Sequence, residues 1–289
     1  MLDYEAVKGW DFEPIRHTYT QRDSMLYALG IGMGSDPMDE SELPFVIEKS
    51  LETMPTMASV LGAPGFWLQD PRTGADWVRL VHGEQSLQMV KPLPPAATVI
   101  ATSRVLSVTD KGVGKGAIVQ TERELHDESS GELLARNRTV SFLRGDGGFS
   151  QKSGRSDAGP EALPAVPDRQ PDLEASLTTL PRQALIYRLS GDYNPLHCDP
   201  KVARAAGFER PILHGLCTYG MAAHAILRTV AGYQAAAIRT LCVRFTAPVY
   251  PGETVRFELW RRNGASFHLR ARVDSRAAIV LDNGRVELA

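Results

Sequence analysis

The densest run of chemically capable side chains in this 289-residue sequence is Tyr187-Arg188-Leu189-Ser190-Gly191-Asp192-Tyr193-Asn194-Pro195-Leu196-His197-Cys198-Asp199. Asp192 and His197 stand five positions apart, with a glycine before them and an Asn-Pro pair between. These residue types favour tight reversals, so the loop can turn a carboxylate and an imidazole toward one point. A carboxylate and a neutral imidazole sharing one water are suited to acid–base chemistry near neutral pH. Asp and Asn in Gly/Pro-rich loops are more often turn formers, so the loop alone does not decide between the two readings. A metal site built on His197, Cys198 and Asp199 is disfavoured because adjacent residues rarely converge on one ion. Cys198, Cys217 and Cys242 follow no zinc spacing either. No metal is expected.

Pro211-Ile212-Leu213-His214-Gly215-Leu216 follows downstream. A glycine at a helix start presents a free backbone N–H at the positive end of the helix dipole, a suitable donor to a developing oxyanion. The competing reading is a plain N-terminal glycine, and His214 is read as structural.

The elements that must position these groups are clearest in the second half. Asp199-Pro200 reads as an N-cap with proline in the first turn, opening a short helix that stops at Gly207. Leu216, Tyr219, Ala223, Ile226, Leu227 and Val230 recur at helical spacing, which predicts a largely buried helix over 216–230. The period then becomes two, at Leu241, Val243 and Phe245, at Val255, Phe257 and Leu259, and at Phe267, Leu269, Ala271 and Val273, with a fourth strand over 277–281. One helix followed by an antiparallel meander is an α+β unit whose sheet wraps the helix. The first half repeats this more loosely. Strands are predicted over 97–108, 116–126 and 132–143, and a helix blurred across 45–62 is interrupted by Pro55.

The halves also share sequence. Pro92-Leu93-Pro94-Pro95-Ala96-Ala97-Thr98-Val99 aligns with Pro248-Val249-Tyr250-Pro251-Gly252-Glu253-Thr254-Val255 at an offset of 156, and Tyr27-Ala28-Leu29-Gly30 parallels Tyr187-Arg188-Leu189-Ser190 at 160. Two matches in the same order suggest a duplicated unit. Between the halves, residues 144–173 are rich in Gly, Ser, Pro and charge and read as an exposed linker. The expected division is therefore 1–147, a linker at 148–174, and 175–289.

Composition bounds the function class. With 43% hydrophobic and 23% charged residues the chain is globular. A net charge of −2 argues against a nucleic-acid binder. Three cysteines make no disulfide framework, which favours a reducing interior. The first residues lack a secretory pattern, the last are not a Ser-Lys-Leu type address, and no long apolar run predicts a membrane span. A cytoplasmic protein without a membrane partner is expected.

The segment from Tyr187 to Gly220, continued by Val243-Arg244-Phe245-Thr246-Ala247-Pro248 and, in the first half, by Leu80-Val81-His82-Gly83-Glu84-Gln85, resembles the (R)-specific enoyl-CoA hydratases, or MaoC-like hydratases type 2. The likeness extends to the hydratase domain of peroxisomal multifunctional enzymes type 2 and covers nearly the whole chain. It implies a double hot-dog fold, two repeats each wrapping an antiparallel sheet around a long helix, with the catalytic loop in the second. The first repeat would help accommodate the acyl chain. Gly32 and Pro37 stand opposite Asp192 and His197 at the offset of 160, so that repeat cannot do the same chemistry.

The resemblance makes Asp192 and His197 the water-activating pair, with Asn194 orienting the loop and Gly215 giving its N–H to the thioester oxygen. His82, Gly83, Lys111, Gly191, Tyr193, Pro195, Leu196 and Phe245 would contact the acyl-CoA, whose phosphates would meet Lys111 or Lys115. The implied reaction is reversible hydration of trans-2-enoyl-CoA to (3R)-3-hydroxyacyl-CoA. CoA is part of the substrate rather than a cofactor, and the protein is expected to be a homodimer. Which of Asp192 and His197 acts as base is left open. The competing functions are a dehydratase on hydroxyacyl-CoA or carrier-protein thioesters, a thioesterase on the same fold, and a non-catalytic acyl-CoA-binding subunit.

Overall fold

The computed structural model describes residues 1–289. Ten antiparallel strands form one sheet: β1 (Ile15–Tyr19), β2 (Leu80–Met89), β3 (Ala97–Asp110), β4 (Ala117–Asp127), β5 (Leu133–Leu143), β6 (Leu173–Thr178), β7 (Ile238–Phe245), β8 (Thr254–Arg261), β9 (Ser266–Val273) and β10 (Ala278–Leu288). Their spatial order is β1-β3-β4-β5-β2-β7-β10-β9-β8-β6. The order reads as one five-strand pattern followed by its mirror, with the two repeats joined where β2 pairs with β7. This is the double hot-dog architecture.

Side chains repeat as well as strands. Thr18 and Thr98 bring their hydroxyls to 2.8 Å between β1 and β3, and Thr178 and Thr254 do the same at 2.8 Å between β6 and β8. The backbone N–H of Thr20 donates to the Asp23 carboxylate at 2.8 Å, and that of Leu180 donates to Gln183 Oε1 at 3.1 Å. Both offsets read from the sequence are therefore present as geometry. At the seam, Ser86 faces Cys242, with Oγ and Sγ 3.0 Å apart.

The second repeat's helix, Gly215–Thr229, runs through the centre, and every residue from Cys217 to Leu227 is buried. A helix apolar on all sides has to be enclosed, and here both repeats enclose it within one core cluster of 48 residues. The corresponding helix of the first repeat is not formed. Leu43–Val46 makes a single turn, and Pro55–Ser59 makes a buried 3-10 turn. Pro55 lacks the N–H that a continuous helix over 45–62 would need, and Met54 to Leu61 fill the core around the 3-10 turn instead of forming an α-helix.

The predicted linker is also partly corrected. Phe149 is only 1% exposed and packs with Tyr4, Val7, Val108 and Val119 in a second, smaller core. Asp157 accepts from Lys8 Nζ and Tyr4 OH, both at 2.8 Å. One apolar side chain and one carboxylate thus tie down a stretch whose average composition is that of a free loop, and β6 begins at Leu173, inside the span assigned to the linker. β10 is longer than the predicted fourth strand.

Candidate active site

The Asp192–His197 loop is shaped by its turn residues. Gly191 ends a 3-10 turn at φ +118°, in the region where L side chains are strained, and reverses the chain. The Asn194 backbone N–H donates to Asp192 Oδ1 at 3.1 Å, while Asn194 Oδ1 accepts from the Leu196 N–H at 3.0 Å. Asn194 therefore caps the next 3-10 turn, Pro195–His197, and fixes the Asp192 side chain at the same time. Tyr193 and Pro195 face solvent on the rim, and the Arg188 guanidinium lies 5.0 Å from the Tyr193 ring centre.

His197 is buried, with Nδ1 2.9 Å from the Ile212 carbonyl oxygen. A carbonyl only accepts, so Nδ1 carries the proton and Nε2 of the neutral ring keeps its lone pair. Burial lowers the His197 pKa below the ordinary 6.5, against the opposing pull of the Ile212 bond and the Asp192 charge. The neutral, proton-accepting form is thus the one the site favours.

His214 belongs to the same cluster, which the sequence reading did not anticipate. Its ring stacks on that of His197, with centres 3.7 Å apart and planes 27° from parallel. Its Nε2 lies 3.1 Å from the Asp192 backbone oxygen and must donate there. Side-chain ligand atoms of Asp192, His197 and His214 all lie within 4.8 Å of one another. Stacked rings project their nitrogens side by side, a geometry that suits a hydrogen-bonding frame better than convergence on one ion.

Gly215 begins the central helix, where its N–H has no partner within the helix. A Cβ at this position would lie 3.2 Å from Phe245 Cε1, so the glycine lets the ring of Phe245 close against the helix start. The first repeat supplies the other wall. The β2–β5 register shifts between His82 and Glu84, at Gly83, and this bulge re-aims His82. The His82 ring stands edge-on to Phe245 with centres 4.7 Å apart, and its Nε2 is sealed from solvent without a partner. Burial pushes the His82 pKa down to about 4, although the Asp192 charge acts in the opposite direction.

Lys111 is not brought to this cluster. It is exposed in the β3–β4 turn, and β4 and β5 separate its strand from β2. The turn itself is rigidly held. The Asp110 carboxylate accepts from the N–H groups of Gly112, Gly148 and Ser150, and these bonds with that of the Ser150 hydroxyl outweigh burial, bringing its pKa down to about 2.

Comparison with known proteins places this arrangement. A family model described as the MaoC like domain matches residues 163–279, and one described as the MFE-2 hydratase 2 N-terminal domain matches residues 17–145. A peroxisomal enoyl-CoA hydratase 2 of Arabidopsis thaliana is 44% identical over 257 residues, covering 85% of this chain and 82% of that protein. The chain belongs to the MaoC-like hydratase 2 family. Another relative, 3-hydroxyacyl-thioester dehydratase Y of Mycobacterium tuberculosis, is 41% identical over 284 residues, covering 95% of this chain and 94% of the other. The structure of full-length peroxisomal multifunctional enzyme type 2 from Drosophila melanogaster superposes with a TM-score of 0.81 at 37% identity, covering 96% of this chain and 48% of that longer one.

In this hydratase 2 chain the first-repeat counterpart of the Asp192 loop has been put to another use. Gly34, opposite Asn194, gives its N–H to Glu42 Oε2 at 2.6 Å. Glu42 in turn meets His224 Nε2 of the central helix at 2.6 Å, with both side chains buried. Burial opposes ionisation of Glu42, but the bond to His224, the His224 charge and the Gly34 N–H together hold its pKa below the usual carboxylate range. The first-repeat loop is a structural clamp on the helix whose start carries Gly215.

Proposed function

We propose that the protein catalyses reversible hydration of trans-2-enoyl-CoA to (3R)-3-hydroxyacyl-CoA at the Asp192–His197 loop. The observation that carries this reading is the adjacency of the Asp192 carboxylate and a His197 ring whose Nδ1–H is committed to Ile212, beside the unpaired N–H of Gly215. A water between the carboxylate and His197 Nε2 is polarised by two acceptors. The Gly215 N–H draws charge onto the thioester oxygen, making C3 electrophilic and C2 basic. The water oxygen bonds to C3 as one of its protons passes to His197 Nε2, and the Asp192–His197 pair returns one proton to C2. The elements of water are added with no net change in the pair.

The chemistry needs no redox partner, and CoA enters as part of the substrate. Lys111 and Lys115 sit in one turn, far enough from the chemistry to meet the phosphates of a long thioester. The dehydratase direction, including carrier-protein thioesters, is the second reading and is favoured by the name of the Mycobacterium relative. A homodimer in solution and a cytoplasmic location complete the proposal. Light scattering tests the first and cell fractionation the second, against five relatives named as peroxisomal. No helix is long and apolar enough to cross a membrane.

The deciding experiment follows enoyl-thioester absorbance with crotonyl-CoA and longer enoyl-CoA substrates. A stereospecific dehydrogenase coupled to the assay identifies the (3R) product. Absence of turnover across short, medium and long chains overturns the proposal, and release of free CoA thiol assigns a thioesterase instead.

A further inference from the structure

His214 meets Asp192 and His197 through its side chain and adjoins Gly215 through its backbone. Its Nε2–H holds the Asp192 carbonyl at 3.1 Å, its ring lies on His197 with centres 3.7 Å apart, and its backbone leads directly into Gly215. Tyr187 also packs on the ring, with centres 5.0 Å apart and planes 51° from parallel. His214 is 1% exposed, so neither contact is loosened by competing water.

We infer that His214 is the positioning residue of this site, setting the separation of Asp192 and His197 through one hydrogen bond and one stack. The inference rests on the hydratase reading above. A backbone bond alone would fix only Asp192, and a stack alone only His197. One rigid ring doing both holds the Asp192 backbone, whose carboxylate the Asn194 N–H orients, at a set distance from the imidazole before water arrives, which is where pre-organisation lowers a barrier. The ring stays uncharged while it does so, because burial and then the neighbouring His197 bring its pKa down to about 4. The titratable and charged groups around His197 are Asp192 on its own loop and His214 at the helix start. Arg188 and Tyr187 lie near His214, and His82 lies on β2 near Asp192.

Two variants separate the two contacts. His214→Phe keeps a stacking ring and loses the N–H; its kcat for enoyl-CoA hydration falls about 10- to 100-fold with little change in KM, the scale of a small misplacement. His214→Gln restores an N–H near the Nε2 position and loses the stack. It keeps more of kcat than His214→Phe, while the acid limb of kcat/KM moves to higher pH as one face of His197 opens to water. The His197 imidazole titration, followed by NMR on substrate-free protein, rises in His214→Gln and stays in place in His214→Phe.

Wild-type kcat in both variants, or losses that track thermal melting while the His197 titration stays fixed in both, overturns the inference. If the wild-type protein hydrates no enoyl-CoA, the hydratase reading fails on its own. The His197 titration in His214→Gln then decides the positioning role, an unmoved value refuting it. It also decides should His214→Phe fail to fold.

Discussion

His82 of the first repeat sets its ring edge-on to Phe245 of the second, with centres 4.7 Å apart, at the start of β2 and the end of β7. The candidate site is therefore closed by a contact between repeats. The second repeat alone would also lose the pairing of β7 with β2 and expose part of the shared core. Expression of residues 160–289 alone is expected to give insoluble or inactive protein, with activity returning when residues 1–159 are co-expressed. A soluble, fully active fragment would show that the first repeat is dispensable.

Asp192→Asn and His197→Gln should each lower kcat by about 10²–10⁴, the usual worth of an acid–base group. Circular dichroism should stay near wild type, since Asn keeps the acceptor for the Asn194 N–H and His197, though buried, lies outside the main apolar cluster. Full activity in both variants would remove the site assignment.

Gly215→Ala inserts a Cβ 3.2 Å from the Phe245 ring, tighter than an ordinary contact, and shifts the proposed oxyanion donor. Displacing such a donor costs up to ~10²–10³ in kcat. The double variant Gly215→Ala/Phe245→Leu, which relieves the crowding, should regain part of this loss. If the single variant hydrates substrate at the wild-type rate, the helix-start N–H is not the donor.

Acid should weaken both activity and stability. His197 has to be neutral to accept a proton, and its pKa lies below 6.5, so the acid limb of kcat/KM should fall below that value. His82 and His214 remain unprotonated in the folded protein down to about pH 4. Between pH 6.5 and 4 the unfolded chain binds protons that the folded chain refuses. Stability therefore falls as pH falls, by up to about 1.4 kcal/mol per pH unit for each such histidine. Urea unfolding across this range measures the slope, and His82→Gln should flatten it. A stability that rises on acidification would contradict the buried, neutral state of these rings.

Removing Glu42 leaves His224 and the Gly34 N–H without their partner inside the core. Loss of one member of a buried pair costs about 3–5 kcal/mol. Glu42→Ala should lower the urea midpoint accordingly, and Glu42→Leu/His224→Phe should recover much of it by replacing the pair with apolar packing. Equal stability of Glu42→Ala and wild type would mean that the clamp contributes nothing.

Much of the fold was legible because the strands of the second repeat alternate cleanly and its central helix carries apolar residues at helical spacing. The Asp192–His197 loop was legible because its turn chemistry is local: Gly191 and Asn194 act within a few residues of the groups they place. What escaped was decided at a distance. The stacking of His214 on His197 arises only when the segment before the central helix folds back over the loop. The blurred first-repeat helix failed at Pro55, yet its residues stayed apolar because the core still needed filling. Phe149 was hidden by the polar composition around it. The bulge that turns His82 toward the site had one visible signal, Gly83 within a strand, since such a glycine often marks a bulge.

Ser86 and Cys242, facing each other across β2 and β7, occupy the same position in their two repeats. A position that meets its own copy is the signature of a two-fold interface, the kind that joins identical subunits. The seam thus has the form of a dimer contact carried inside one polypeptide. Covalent linkage changes what mutation can do to such a pair: identical subunits must alter together, whereas linked halves diverge separately. One half carries the Glu42–His224 clamp where the other carries Asp192 and His197, a difference unavailable to a symmetric pair of identical chains.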